Sequence, residues 1–415
     1  MEKKTAKESL MGIYRVLDLT DEKGLSCGML LAGLGADVIK VEKPGGDSAR
    51  NIGPFYGDIP HAERSLFWFA NNLNKRSITL NLQSLEGRQI FQRLVKTADF
   101  VIESFPPGYM SEIGCDYQGL NQINSRLIMT SITPFGQTGP YKDYKASDLI
   151  CVASGGLLYL NGDPDRPPVR ITFPQAYAHA GVHAAVASMI AHYHREIRGK
   201  GQYIDVSIQE SMVWPAVVES LFWEYERFMA RRIGPKSRRG YVSVHEVWPC
   251  KDGHVSLRIM VGTYGRAMEA LTGWMDEEGM AGPLKGKDWQ AIDMAQMTQE
   301  EVDQWEEVIR AFFAKKTKAE LFKEALERGF SLMPSYTPKD IAEDEQLQAR
   351  DFWAEMEHAE LGTVTYLGEP FKLSVSPGWG RRCAPLIGEH NLEIYEEELG
   401  FSREQLITLK TNNVI

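Results

Sequence analysis

Short apolar runs and amphipathic stretches alternate along the first two hundred residues. Ile13–Leu19 reads as a strand, a loop with Gly24 follows, and Cys27–Leu34 has helical spacing. Asp37–Val41 is a second strand, ended by Pro44-Gly45-Gly46. Ser77–Leu82 alternates as a strand does, whereas Glu86–Thr97 places Ile90, Phe91, Leu94 and Val95 on one helical face. Asp99–Glu103 and Leu127–Ile132 are short, apolar and suited to buried strands. This rhythm predicts βαβ units and an open parallel sheet, hence an α/β fold. Ligands of such sheets lie beyond the carboxyl ends of the strands. Here those loops are Asp21–Ser26, Glu42–Asp47, Ser104–Gly108 and Thr133–Tyr144.

Ala176–His194 reads as a long helix, rich in small residues on one side, and Gln202–Ser207 as a further strand. The character changes after Arg227. Ala230–Gly240 is loop-like and basic, Val242–Val261 reads as a hairpin around Lys251-Asp252-Gly253, and helices run on to about Phe330. The pattern divides the chain into a large domain over 1–224, a small α+β domain over 225–335 and a segment 336–415 that returns to the large domain. Within that segment Thr337-Pro338 opens a helix, Phe352–Lys372 looks like strands, and Glu389–Leu399 is expected as the final helix.

Composition narrows the classes. The 415 residues carry 46 Lys+Arg against 56 Asp+Glu, a net charge of −10, with 43% hydrophobic residues. That is an ordinary globular balance and argues against a general nucleic-acid binder. The polar start MEKKTAKESL predicts no signal peptide, and no apolar run approaches the length of a membrane span. The five cysteines are scattered without a CxxC pair, which suits reduced thiols in a cytoplasmic protein and no zinc site.

Several constellations have to be weighed against plain structural roles. Gly33-Leu-Gly35-Ala-Asp37 lacks the third glycine of a dinucleotide fingerprint and follows a helix, so a turn closing that helix is the better reading. His179 and His183 are four apart but have no acid between them, which leaves a zinc ligand set incomplete. Between Ala36 and Arg76, six basic residues (Lys40, Lys43, Arg50, Arg64, Lys75, Arg76) face five acidic ones, a slightly positive window in an acidic chain. Alone, this suits a solvated surface more than a phosphate site. Arg231, Arg232, Lys236, Arg238 and Arg239 crowd a Gly/Pro-bounded stretch, a candidate for closing on an anionic substrate because guanidinium groups grip carboxylates bidentately.

Taken together, these runs resemble the family III CoA-transferases. The matching segments are RVLDLT (Arg15–Thr20), LGADVIKVEKPGGD (Leu34–Asp47), NKRSITLNL (Asn74–Leu82), ADFVIESFPPG (Ala98–Gly108), FGQTGPY (Phe135–Tyr141), HREIRGKGQYIDVSIQE (His194–Glu210) and APLIGEHN (Ala384–Asn391). The resemblance implies a Rossmann-like large domain, a small domain, and two subunits interlocked like links. It implies CoA or an acyl-CoA as substrate, with no permanently bound cofactor. Lys43, Lys75 and Arg76 match family positions near the nucleotide phosphates, and Lys145 a lysine near CoA. Ser104 and Phe105 fall on the family's Asn-Phe pair, so the Asn amide is missing.

A second departure concerns the chemistry itself. The family's nucleophilic Asp precedes a glycine by four residues; here the run is Tyr177-Ala-His-Ala-Gly181, which puts Tyr177 in that place. The reaction needs a carboxylate that attacks the thioester and passes through an anhydride to an enzyme–CoA thioester. A phenol cannot carry CoA in this way. The racemase branch is also unsuited, because its His and Asp fall at Ser147 and Tyr177. DLTDEKG (Asp18–Gly24), VWPCKDGHVS (Val247–Ser256) and GWMDEEGMA (Gly273–Ala281) resemble the two-subunit succinyl-CoA:benzylsuccinate CoA-transferases. This implies an Asp-less subunit with an Asp-bearing partner, acting in aromatic-compound degradation on a dicarboxylate held by Arg238 and Arg239. The alternatives are a non-catalytic CoA-thioester-binding protein and an isomerase- or hydratase-like homodimer using His179 or Tyr177.

Overall fold

The structure is a computed structural model that describes residues 9–239, 241–358, 361–375 and 382–415; the first residues of the polar start and Gly240 of the basic stretch lie outside them. Six parallel strands form the central sheet: β1 (Arg15–Leu19), β2 (Asp37–Glu42), β3 (Arg76–Thr79), β4 (Phe100–Glu103), β5 (Ile128–Thr133) and β6 (Tyr203–Ser207). Their spatial order is β3-β2-β1-β4-β5-β6, so β1 pairs with β2 on one side and β4 on the other, Val16 opposite both Val38 and Phe100.

Alternate residues of these strands feed two cores, as the two-residue period of a strand requires. Leu17, Ile39 and Val101 meet Ile90, Phe91, Leu94 and Val95 of helix Leu85–Val95. Val16, Val38 and Phe100 face the opposite side, where helix α1 (Leu25–Gly33) and the long helix α2 (Ala176–Arg198) contribute Leu31, Ala180 and Ala184. Small residues let these two helices approach closely. A Cβ on Gly181 would stand 1.9 Å from Ser26 Oγ and 3.1 Å from the Cys27 nitrogen. Gly35 adopts φ +95° after α1, the helix-closing turn expected of the GLG run.

Edge strand β3 is sealed by a segment more than 300 residues away. The Ser77 N–H donates to His390 Nδ1 (3.2 Å) and the Thr79 N–H to Asn391 Oδ1 (2.9 Å). Tyr395 returns its hydroxyl to the Thr79 carbonyl at 2.7 Å.

The chain separates into two compact units. One holds the described residues up to Leu158 with Arg170–Glu224 and Gln346–Ile415; the other holds Tyr159–Val169 and Tyr225–Glu345. The second unit packs Trp248, Leu271, Trp274, Trp289, Ile309 and Phe312 into its own core. Arg232 ties Tyr159–Val169 into this unit by donating to the carbonyls of Tyr159, Asp163 and Arg166.

Three local expectations are corrected. The basic stretch is partly a strand: Lys236–Arg239 pairs antiparallel with Val242–His245, so the hairpin around Lys251-Asp252-Gly253 begins only at Val247. Glu389–Leu399 is not an α-helix; Glu393–Glu398 forms one wide π-type turn. The last α-helix is Arg403–Thr411, started by a reciprocal cap between Ser402 and Gln405. The helix opened by Thr337-Pro338 and strands within Phe352–Lys372 (Trp353–His358, Gly362–Leu367) are present.

Candidate active site

In the strand order 3-2-1-4-5-6 the direction of winding reverses between β1 and β4, so the loops after these strands part and leave a crevice at the carboxyl edge of the sheet. A cavity of about 420 Å³ lies there, lined by residues from the ends of β1 to β4, among them Asp21, Lys43, Asn81, Ser104, Phe105 and Tyr109.

The two lips of the crevice are fastened to each other. The Asp21 N–H donates to Ser104 Oγ at 2.8 Å, and the Ser104 hydroxyl donates back to Asp21 Oδ1 at 2.7 Å. Ser104 is consequently buried and turned inward. Phe105 packs on Tyr109 with ring centroids 4.7 Å apart and the ring planes tilted by 37°, an aromatic wall at the cavity edge. Lys43 stands exposed on the rim, and among the described residues it has no ion-pair partner.

Four other basic residues of the 36–76 window behave differently. Lys75 is fully buried, and its ammonium donates to Asp18 (2.8 Å), the Leu25 carbonyl (2.8 Å) and Asn72 Oδ1 (2.9 Å), which occupies all three donors. Arg76 makes four contacts to Asp37, Glu393 and Glu398. Arg50 is buried over Trp68 and paired with Glu42 and Glu63. Lys40 joins the Thr20 carbonyl after β1 to Asp47 after β2. Burial opposes charge on Lys40, but Asp47 and Asp18 outweigh it and hold its pKa above the ordinary value. The window is therefore mostly an internal brace beneath the crevice. Lys75 and Arg76 are not free to meet phosphates, a correction: every Lys75 donor is taken, and Arg76 is held by four contacts to three carboxylates.

Lys145 is exposed in the stretch before helix Asp148–Ser154. Beside it in sequence, Phe135, Tyr141 and Tyr144 form an aromatic cluster, the two tyrosines 5.0 Å apart and both exposed.

Tyr177 sits half-buried in the first turn of α2, its N–H donating to Asp148 Oδ1 at 3.1 Å. Burial raises its phenol pKa strongly, and Glu22, Cys151, Asp148 and Asp21 add to the shift. At neutral pH it is an uncharged phenol surrounded by acids, unfit as a nucleophile. His179 is half-buried two residues further on.

Arg238 and Arg239 belong to the second unit. Arg238 lies over the Phe228 ring at 4.2 Å, and Arg239 shares Glu246 with Arg258 at 3.4 and 2.7 Å. Glu246 is held below its usual pKa; its hydrogen bonds with Ser237 and Arg258 overcome the effect of burial. Among the described residues no group of three metal-ligating side chains gathers, and no helix is long and apolar enough to cross a membrane.

Sequence reasoning missed Asp21 and Glu103. Asp21 was only a loop residue in the pattern, and its bond to Ser104 joins positions 83 apart. In the pattern Glu103 is only the last residue of an apolar strand. Both lie in or next to quoted motifs, so the clue was an acid at a strand's carboxyl end.

The chain's likeness to known proteins agrees with this geometry. The model of CoA-transferase family III matches residues 10–391. The chain is 36% identical to the succinyl-CoA:(R)-benzylsuccinate CoA-transferase subunit BbsE of Thauera aromatica, over 92% of this chain and 93% of that protein. It is 32% identical to the succinyl-CoA–D-citramalate CoA-transferase of Chloroflexus aurantiacus, over 94% of each. A crystal structure of a CaiB/BaiF family protein from Brucella suis superposes with a TM-score of 0.81 at 29% identity, covering 94% of this chain and 98% of that one. With a crevice at the switch point of a parallel sheet and likeness along nearly its whole length, the chain belongs to CoA-transferase family III and is a CoA-transferase.

Proposed function

We propose that this chain is the subunit without a nucleophile in a heteromeric enzyme that moves CoA from succinyl-CoA to a substituted dicarboxylate such as benzylsuccinate. The observation that carries the reading is Tyr177, a neutral phenol where the family resemblance expects a carboxylate. A phenol lacks the acyl group that would accept CoA, so the covalent steps fall to an Asp-bearing homologous subunit, interlocked with this one. Likeness to a protein named as a subunit of such a transferase supports the choice of partner and substrate.

In this reading Lys43 and Lys145 meet the CoA phosphates as exposed point charges. Phe105 and Tyr109 offer the adenine a face, and Ser104 ties the two lips of the crevice together through Asp21. Arg238 and Arg239 hold the free carboxylate of the acceptor.

The test is CoA transfer from succinyl-CoA to benzylsuccinate, measured on the chain alone and after co-expression with an Asp-bearing homologue. Turnover only in the co-expressed complex is the expected result. Turnover by the chain alone that hydroxylamine abolishes would reveal another carboxylate nucleophile and overturn the reading. CoA binding with no turnover in either sample would favour a non-catalytic thioester-binding protein.

A further inference from the structure

We propose that Glu103 is a positioning residue for the CoA crevice, gripping the Ser104–Phe105 lip through its carboxylate and loosening that grip when it takes up a proton. This rests on the assignment of the crevice to CoA. Glu103 is the last residue of β4 and is 2% exposed. Its Oε2 accepts the Phe105 N–H at 2.7 Å, the backbone of the residue whose ring walls the cavity. Its Oε1 accepts the Ser131 hydroxyl, and Ser131 Oγ in turn accepts the Tyr203 hydroxyl at 2.8 Å. One carboxyl group thus joins the lip to β5 and β6.

On the other side lies a separate cavity of about 280 Å³, lined by Glu103, Ser131, Tyr203, Tyr117, Gln137 and Asp116. It is large enough to bring water to the carboxyl group. No cation forms an ion pair with Glu103 among the described residues. Asp21, from the loop after β1, disfavours its charge, and Lys23 from the same loop favours it. Tyr203 and Asp205 belong to β6, and Asp116 and Tyr117 line the cavity. Burial dominates and pushes the group up to about 7, against the hydrogen bonds from Ser131 and Phe105.

The proton step is simple. A proton from water adds to Oε1, which then donates to Ser131 Oγ, and the serine hydroxyl turns away. Oε2 becomes a neutral carbonyl acceptor for the Phe105 N–H, a weaker bond than one to a carboxylate. The lip is therefore held best above the pH at which Glu103 ionises.

Hydrogen exchange of the Phe105 amide, divided by its intrinsic rate, tests this on the protein without CoA. Protection in the wild type is expected to fall roughly fivefold between pH 8 and pH 6. In Glu103→Gln it is expected to stay at the wild type's acid level throughout. An unchanged ratio in the wild type, or the same pH dependence in both proteins, overturns the proposal. Ser131→Ala removes a bond to the ionised form and is expected to move the midpoint upward; an unmoved midpoint also counts against it. Calorimetric affinity for 3′-dephospho-CoA, which lacks the phosphate that itself titrates at about pH 6, is expected to follow the same profile. If the wild type binds no CoA at any pH, the crevice assignment fails. The exchange experiment still decides whether Glu103 holds the lip.

Discussion

At the scale of single residues, charge and exposure separate side chains that look alike in the sequence. Lys43 and Lys75 are both lysines of a basic window, yet one is exposed on a cavity rim and the other has every donor occupied inside the fold. Lys43→Ala is expected to weaken CoA binding about tenfold at low salt and less at high salt, as calorimetry at two ionic strengths would show. Lys75→Met would act elsewhere: it strands Asp18 in the interior and is expected to cost about 3–5 kcal/mol of stability in urea unfolding. Tyr177→Phe removes a phenol that stays protonated, so the rate of the two-subunit enzyme is expected to hold within about twofold. A large loss in a stopped-flow or endpoint transfer assay would assign the hydroxyl a chemical part.

At the scale of elements, much of the fold was legible because two-residue and 3.6-residue periods are strong signals in buried strands and amphipathic helices. The strands of the parallel sheet and helix Leu85–Val95 follow directly from them. The errors lie where that signal is absent. Lys236–Arg239 is all polar, so only its pairing with Val242–His245 makes it a strand. Helix Arg403–Thr411 buries little beyond Leu406, yet Ser402 and Gln405 carried a capping signature that the apolar pattern overshadowed. The site divides in the same way: the loops beyond the strands were predictable, whereas the Asp21–Ser104 bond and the inward turn of Lys75 depend on contacts between distant positions. Helix contact makes its own prediction. Gly181→Ala would press a methyl group onto Ser26 and the Cys27 backbone, and is expected to cost about 1–3 kcal/mol in urea unfolding.

At the scale of the whole molecule, Glu103 links stability to pH. Its folded-state pKa lies above its ordinary value, so between these two values the folded chain holds a proton that the unfolded chain releases. Folding stability therefore declines as pH rises through that window toward about 7. Asp47 has the opposite sign: Lys40 and the Ala49 N–H keep it below its ordinary pKa despite burial, and its contribution is lost as pH falls through the folded value. Chemical unfolding at pH 5, 6, 7 and 8 is expected to show a shallower decline for Glu103→Gln than for the wild type; parallel profiles would mean that Glu103 does not set it.

The seal on β3 reaches further than stability. Asn81 donates its N–H to the carbonyl of Val414, and His390, Asn391 and Tyr395 cover Ser77 and Thr79. On a ribosome adding about 5–20 residues per second, these partners emerge roughly 15–60 s after the strand they cover. During that interval a nascent chain would present an open strand edge beside a half-built crevice. On the proposed placement of CoA in this crevice, competence to bind it arrives late in synthesis, and a chain released early would be marked by the edge it leaves bare.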